Sequence, residues 1–266
     1  MTIKYLSSIL LIIFFFNCNA QGLISNAKTD SDYKKIAPKH SFFSNDAEGL
    51  PKKIDLSVYL PSVINQEKWG TCVGISSAYY MRTILEARRL GITDSKKINE
   101  ISFSPSYLYN AIKDSSNTEC YNGTELVKAL DFLKNKGIAQ LKEQPYPYCG
   151  NNIDSIKLRD NSKIMDYIRL FGLTDKEVNV VEAAKKALSE YTPLLVGILT
   201  TQSLQKLHFT STFWARIKHF FGFSLSESED FRLWKPNKSV SFRGDHAICI
   251  VGYDDNKYGG AFQAVN

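Results

Sequence analysis

The sequence lacks three features that would each point to a particular class of protein. Its 33 basic and 27 acidic residues leave a formal charge of +6, and the basic residues form no blocks, which argues against nucleic acid as the main partner. There is no internal repeat and no low-complexity tract. Beyond residue 20, no apolar segment approaches the roughly 20 residues that a helix needs to cross a bilayer. The remaining composition, 44% apolar and 23% charged, is that of an ordinary globular protein.

The first 20 residues differ from the rest of the chain. Lys4 precedes a long apolar run, and small residues at both ends of the triplet ending at Ala20 suit cleavage there. This pattern predicts a signal peptide over residues 1–20 and an exported protein that is periplasmic, in the cell envelope or extracellular. Stable membrane association is not expected after cleavage. A retained membrane anchor is the rival reading, and a lipid anchor at Cys18 is a minor one because Asn17 fits a lipobox poorly.

Helical patterns dominate the first half of the chain and strand patterns the second, which favours an α+β fold. Residues 21–50 are polar and are interpreted as an extended leader or linker. Helices are predicted over residues 72–90, 104–113, 124–135 and 181–190, and strands over residues 193–199, 246–253 and 262–265.

Cys72 lies in the first turn of the first of these helices. Backbone N–H groups and the helix dipole favour negative charge there, so a thiol at this position is suited to act as a nucleophile. Such a thiol needs an imidazole beside it. Of the four histidines, His40 lies in the leader, and His208 and His219 lie in an aromatic-rich segment. His246, at the start of an apolar strand, is therefore the best candidate.

Five segments in sequence order form one pattern: residues 65–72, in which Gln66 stands six residues before Cys72, and residues 103–108, 120–123 with 145–148, 245–253 and 264–266. Together they resemble conserved segments of the papain-like cysteine peptidases, where the same six-residue spacing is found. The resemblance runs from about residue 50 to the end and is interrupted around residues 200–243.

The resemblance assigns roles to four residues. It implies that Cys72 is the nucleophile, that His246 is its base and that Asn266 orients the imidazole. It also implies that the side-chain amide of Gln66 and the backbone N–H of Cys72 form the oxyanion hole. By the same resemblance Gly123, with Asn122 beside it, would bind the substrate backbone. No metal or organic cofactor is implied.

The resemblance also implies a two-lobed fold with the active site in the cleft between the lobes. The peptidase domain is expected over residues 51–266, with a helical lobe at about 65–150 and a β-rich, barrel-like lobe at about 175–266. Residues 203–243 are expected to be an atypical insertion, either packed on the domain or acting as a lid or a membrane-surface helix. The substrate would be a peptide or protein, cleaved through an acyl-enzyme.

Several departures from the family pattern qualify these expectations. Trp69 and Val73 stand where the family often has Cys and Trp, and Cys72 and His246 are 174 positions apart, against about 130–150 in papain-type enzymes. The sequence stops at Asn266 without the Ser-Trp-Gly that follows in the family, so a fragment or a truncated, inactive enzyme is expected. The roughly 30 residues before Pro51 are shorter than the usual inhibitory propeptide, so self-inhibition by a full prodomain is not expected.

Two cysteine questions and two alternative functions stay open at this point. Cys120 and Cys149 either form a bridge under the substrate groove or remain free, and Cys249 is interpreted as part of the core. A non-catalytic papain-like binding protein is one alternative function, and another Cys–His hydrolase such as a cell-wall amidase is the second. The sequence predicts no oligomeric state.

Overall fold

The structure is a computed structural model, which describes residues 22–38, 49–150, 153, 155–159, 162–201, 233–234 and 242–265. The predicted signal peptide, nearly all of the insertion at 203–243 and the predicted catalytic Asn266 lie outside the described residues.

Six helices precede or flank the sheet in the described part of the chain. The central one, α2, covers residues 72–90 and consists of three consecutive segments: α-helical Cys72–Gly74, π-helical Ile75–Arg82 and α-helical Thr83–Leu90. The others are α1 (Ala27–Lys35), α3 (Ser95–Ile101), α4 (Pro105–Ile112), α5 (Leu126–Asn135) and α6 (Glu177–Ser189), and one 3-10 turn lies at Ser57–Tyr59.

The helix boundaries follow from local signals. Gly91 ends α2 with a left-handed φ of 66°, a conformation that glycine adopts without a steric cost. The Ser104 side chain accepts a hydrogen bond from the Tyr107 N–H, and Pro105 occupies the first position of α4. The predicted bounds of α2 and α4 are thus confirmed, whereas α5 begins at Leu126 rather than at residue 124.

Two helices were missed by the sequence patterns. α1 lies inside the expected linker at residues 21–50, and α3 lies between two predicted helices. Both are short and poor in apolar residues, so hydrophobic periodicity does not reveal them. Their caps do: Asn26 and Thr29 form a capping box at α1, and Asp94 caps α3 by accepting from the Lys97 N–H.

The four strands form one antiparallel sheet around a long central strand. The strands are β1 (Lys53–Asp55), β2 (Leu194–Thr201), β3 (Phe242–Asp254) and β4 (Ala261–Val265). β3 pairs with each of the other three, and its partner on β2 at His246 is Ile198. The strands predicted in the second half are confirmed; β2 and β4 are one residue longer than expected, and β3 is five residues longer.

α2 is the element that the two lobes share. It packs on β3 on one side and on α4 and α5 on the other, and its residues from 72 to 84 are buried. A Cβ added at Gly74 would lie 2.7 Å from the Pro105 carbonyl oxygen, so α2 and α4 approach each other closely at the first turn of α2. The two-lobed α+β fold is therefore as expected. Within the described residues, no helix combines the length and apolarity needed to cross a bilayer.

Candidate active site

The site is centred on the first residue of α2, where the helical lobe meets the sheet. Cys72 is a free thiol and is fully buried. The backbone N–H of Ala247, in the middle of β3, donates a hydrogen bond to the Cys72 sulfur at 3.4 Å. This contact joins the start of α2 to β3 at the residue that directly follows His246.

The electrostatics of Cys72 are set by burial and by N–H groups around the sulfur. Burial raises the pKa of the Cys72 thiol to about 11, and hydrogen bonds from the N–H groups of Ala247, Gly22 and Val73 oppose that rise. The thiol is therefore neutral at pH 7 in this arrangement, although donors that would stabilise a thiolate already point at it.

His246 is also buried, at 8% exposure. Its Nδ1 is buried and has no hydrogen-bond partner among the described residues. Burial lowers the pKa of His246 to about 4, so the imidazole is neutral at pH 7. An unpaired buried nitrogen is costly and calls for an explanation. His246 directly precedes Ala247, whose N–H donates to the Cys72 sulfur, and a neutral imidazole nitrogen without a partner is what a general base requires.

The loop before Cys72 is held by Tyr146, a residue of the Tyr-Pro-Tyr segment. The Tyr146 hydroxyl donates to the Gln66 carbonyl at 3.3 Å and lies 2.9 Å from the Thr71 hydroxyl. Gln66 is buried, and its side-chain amide donates to the Trp69 carbonyl at 2.8 Å. The motif was recognised in the sequence, but the buttressing role of Tyr146 was not predicted because it depends on a contact between residues 80 positions apart.

One wall of the cleft is formed by the segment around residues 120–124. A disulfide joins Cys120 to Cys149, which settles that open question. The Gly70 N–H donates to the Cys120 carbonyl at 2.9 Å, and a Cβ on Gly70 would lie 2.3 Å from the Asn122 carbonyl oxygen. These contacts place Asn122 and Gly123 directly beside the loop that carries Cys72.

A residue that the sequence patterns did not implicate also reaches the sulfur. Gly22, the first described residue, is buried, and its N–H is one of the donors to Cys72. The polar composition of residues 21–50 predicts a linker at this position instead. The capping box at Asn26 is the one local signal that an ordered segment begins here.

The described part of the chain thus brings together Cys72, His246, Gln66, Asn122 and Gly123 of the predicted site residues. In the same part of the chain, no three His, Cys, Asp or Glu side chains are grouped in a way that could hold a metal ion.

Comparisons with known proteins agree with this arrangement. The family model described as papain family cysteine protease matches residues 50–216, a range that includes Cys72 and Gln66 and ends before His246. No curated protein sequence matches the chain significantly.

Among solved structures, xylellain, a cysteine protease from Xylella fastidiosa, is similar with a TM-score of 0.56 and 20% identity over 89% of this chain and 80% of its own. Procathepsin B S9 from Trypanosoma congolense is similar with a TM-score of 0.54 and 14% identity over 92% and 75%. The Amb a 11 cysteine protease of ragweed, in its proform, is similar with a TM-score of 0.52 and 19% identity over 86% of this chain and 59% of its own. By its family match over residues 50–216, and with a fold of the same kind, this chain belongs to the papain family of cysteine proteases.

Proposed function

We propose that this protein is an exported cysteine peptidase that hydrolyses peptide bonds with Cys72 as nucleophile and His246 as base. Its family and fold support cysteine peptidase activity in general. The observation that supports the specific assignment is the hydrogen bond from the Ala247 N–H to the Cys72 sulfur, because Ala247 directly follows His246 and Cys72 is the first residue of a helix.

The first half of the reaction transfers the acyl group to the enzyme. The Cys72 thiol gives its proton to the Nδ1 of His246, and the thiolate attacks the carbonyl carbon of the scissile bond. The electron pair of the C=O bond moves to the oxygen, where the Cys72 N–H and the Gln66 amide would stabilise the charge. As the C–N bond breaks, the imidazolium of His246 protonates the leaving amine. The product is a thioester on Cys72.

The second half regenerates the enzyme. His246 takes a proton from a water molecule, whose oxygen attacks the thioester carbon. The C–S bond then breaks, the carboxylic acid leaves, and the sulfur recovers its proton from His246. No step in this scheme requires a metal or an organic cofactor.

Asn266 is proposed to orient the imidazole. Its neighbour Val265 pairs with Cys249 on β3, the same strand that carries His246. A side-chain amide that holds the second ring nitrogen would keep Nδ1 directed at the sulfur. Gly123 and Asn122 are proposed to bind the substrate backbone, since both lie beside the nucleophile loop.

Export is proposed from the signal-peptide pattern over residues 1–20. The disulfide between Cys120 and Cys149 supports it, because such bonds persist in oxidising compartments.

A substrate panel tests the function. The purified protein, under mild reducing conditions, is incubated with fluorogenic peptide amides and with peptidoglycan fragments, and the products are identified by mass spectrometry. We expect turnover of the peptides through a thioester on Cys72. Turnover of peptidoglycan alone would identify a cell-wall amidase instead. Binding of peptides without any turnover would identify a non-catalytic papain-like protein.

A further inference from the structure

We propose that a cavity in the helical lobe, at the far end of α2 from Cys72, is a binding site for a free α-amino acid with an apolar side chain. The cavity has a volume of about 170 Å³ and is lined by residues of α2, of the segment around the end of α3 and of the turns that follow α5. At about 1.5 Å per residue, Glu86 in its lining lies about 20 Å from Cys72 along α2. The inference therefore does not depend on the proposed function.

The floor of the cavity is apolar, and its backbone is held by a short antiparallel pairing. Phe103 and Ile138 line the cavity and are buried. Phe103 pairs with Gln140 in an antiparallel bridge. Beside this bridge, the Ser104 N–H donates to the Ala139 carbonyl at 2.9 Å. Because the side chains of directly opposite residues lie on the same face of an antiparallel pair, the Gln140 side chain faces the cavity together with the Phe103 ring.

Gln140 brings an unsatisfied hydrogen-bond acceptor to the cavity. It is 6% exposed, and its Oε1 is buried without a hydrogen-bond partner among the described residues. Buried polar atoms in proteins are paired in the large majority of cases, so this oxygen calls for a donor from a ligand. Glu143 also lines the cavity, and its Oε2 accepts from the Gln140 N–H at 2.7 Å. Gln140 and Glu143, which we call the acceptor turn, together offer the oxygens that an ammonium group requires.

A second turn in the lining carries the complementary groups. The Ser162 N–H donates to the Arg159 carbonyl at 3.0 Å, and both residues line the cavity. Ser162 is 3% exposed, and its Oγ is also buried without a partner among the described residues. Arg159 is exposed and forms no ion pair with another described residue. A hydroxyl and a guanidinium are donors that suit a carboxylate, so we call Arg159 and Ser162 the donor turn.

The charges that α2 contributes to the lining are already matched. The Arg89 guanidinium lies 2.7 Å from Glu86 Oε1, and Glu86 Oε2 lies 3.1 Å from the Arg82 guanidinium. This cluster binds its own members and leaves one carboxylate on the acceptor turn and one guanidinium on the donor turn. These two opposite charges are the complement of a zwitterion.

The size of the cavity limits the ligand to a single amino acid. A cavity of about 150 Å³ holds one benzene molecule, so this cavity has room for a side chain of the size of leucine. Pockets for larger, drug-sized ligands start at about 300 Å³, which excludes a peptide of several residues. An apolar amino acid satisfies every group of the lining, with its side chain on the apolar floor, its ammonium at the acceptor turn and its carboxylate at the donor turn.

Calorimetric titration of the purified protein with L-leucine tests the site. Three related compounds each lack one feature of the ligand: 4-methylpentanoate has no ammonium group, 3-methylbutylamine has no carboxylate, and glycine has no apolar side chain. We expect saturable binding of L-leucine at one site per chain, and binding at least about tenfold weaker for each of the other three. No binding of L-leucine, or equal binding of any of the three, would overturn the proposal.

Gln140→Met separates a binding role from a structural one. Methionine is of similar size and removes the unsatisfied oxygen, so the free protein should melt at a higher temperature while the affinity for L-leucine falls about tenfold or more. Gln144→Met is the matched control, since Gln144 is equally buried on the same turn but is not part of the lining in the described part of the chain. It should bind L-leucine within about twofold of wild type. Equal affinities in these two variants would contradict the site.

Arg159→Gln tests the donor turn in the same way. Lys157→Gln is its control, because it removes another exposed cation from the same segment outside the lining. The first substitution should weaken L-leucine binding about tenfold or more, and the second should leave it within about twofold of wild type. L-leucine binding that neither Gln140→Met nor Arg159→Gln weakens would place the ligand elsewhere on the molecule and overturn the proposal.

Discussion

The molecule contains two free, fully buried thiols in different surroundings, Cys72 at the start of α2 and Cys249 in the middle of β3. Burial raises the pKa of both. At Cys72 the N–H groups of Ala247, Gly22 and Val73 oppose that rise and leave the pKa at about 11. No such opposing donor acts on Cys249 in the described part of the chain.

The difference shows what burial alone does to a thiol. At Cys249 it produces an inert core residue between neighbouring strands. At Cys72 the same burial is combined with a helix N-terminus and with backbone N–H donors, and the residue before Ala247 carries an unpaired imidazole nitrogen. The chemistry of a buried cysteine is therefore decided by the groups that face the sulfur.

The largest effect expected from this comparison is on catalysis. Cys72→Ala removes the nucleophile and should lower kcat/KM for peptide hydrolysis by about 10³-fold or more. Cys249→Ala is the matched control, since it removes an equally buried thiol; it should leave kcat/KM within a few-fold while it lowers the melting temperature slightly. Steady-state kinetics and thermal unfolding measure both effects. Similar losses of kcat/KM in the two variants would contradict a special role of the Cys72 thiol in hydrolysis.

The second effect is a pH dependence of the protein's stability that comes from His246. Burial lowers the pKa of His246 from 6.5 to about 4. Between these pH values the unfolded chain binds more protons than the folded one, so stability rises with pH. The contribution is complete above about pH 6.5 and is lost as the pH falls towards 4; it amounts to about 3 kcal/mol.

Denaturant unfolding at pH 7 and pH 4.5 measures this effect. His246→Gln serves as the control because glutamine does not titrate, so other acid-labile groups contribute equally to both proteins. Wild type should lose more stability than His246→Gln over this interval. Parallel losses in the two proteins would show that His246 is not buried in its neutral form.

The smallest effect comes from the turn that holds Cys72. In Gly74→Ala the added methyl group would lie 2.7 Å from the Pro105 carbonyl oxygen, so α2 and α4 must separate slightly. Overpacking of this kind costs about 1–3 kcal/mol, and the better helix propensity of alanine offsets about 1 kcal/mol of it. We expect a net loss of about 1 kcal/mol in denaturant unfolding and a several-fold fall in kcat/KM.

Gly91→Asn is the control for that substitution. Gly91 has a left-handed φ of 66° and open space around it, and asparagine tolerates this conformation. It should change neither kcat/KM nor the free energy of unfolding by a comparable amount. A Gly74→Ala protein indistinguishable from Gly91→Asn would mean that the first turn of α2 adapts freely.

The elements that could be predicted from the sequence are those with strong local signals. The apolar period of residues 72–90 and the stop at Gly91 determine α2, and the motif spacing from Gln66 to Cys72 identifies the nucleophile loop. Long-range contacts could not be predicted, because no pattern in the neighbouring sequence indicates them. Two examples are the hydrogen bond from Tyr146 to the Gln66 carbonyl and the hydrogen bond from the Gly22 N–H to the Cys72 sulfur.

The segment of residues 22–38 is the clearest example of such long-range contacts. Its residues are polar, so hydrophobic patterning reads them as a linker. Its position in the cleft depends on backbone hydrogen bonds to Thr124 and Asp245 and on glycine at positions 22, 70 and 123. Backbone contacts of this type are specified by the fold and not by the pattern of side chains.

Covalent labelling by the epoxide E-64, mapped by mass spectrometry, is the most direct test of the catalytic assignment. It is carried to completion in wild type and in His246→Ala. We expect stoichiometric labelling of Cys72 in wild type, none of Cys249, and loss of labelling at Cys72 in His246→Ala. A folded wild-type protein that stays unlabelled, or labelling of Cys72 that persists in His246→Ala, would contradict the assignment of Cys72 and His246 as a catalytic pair.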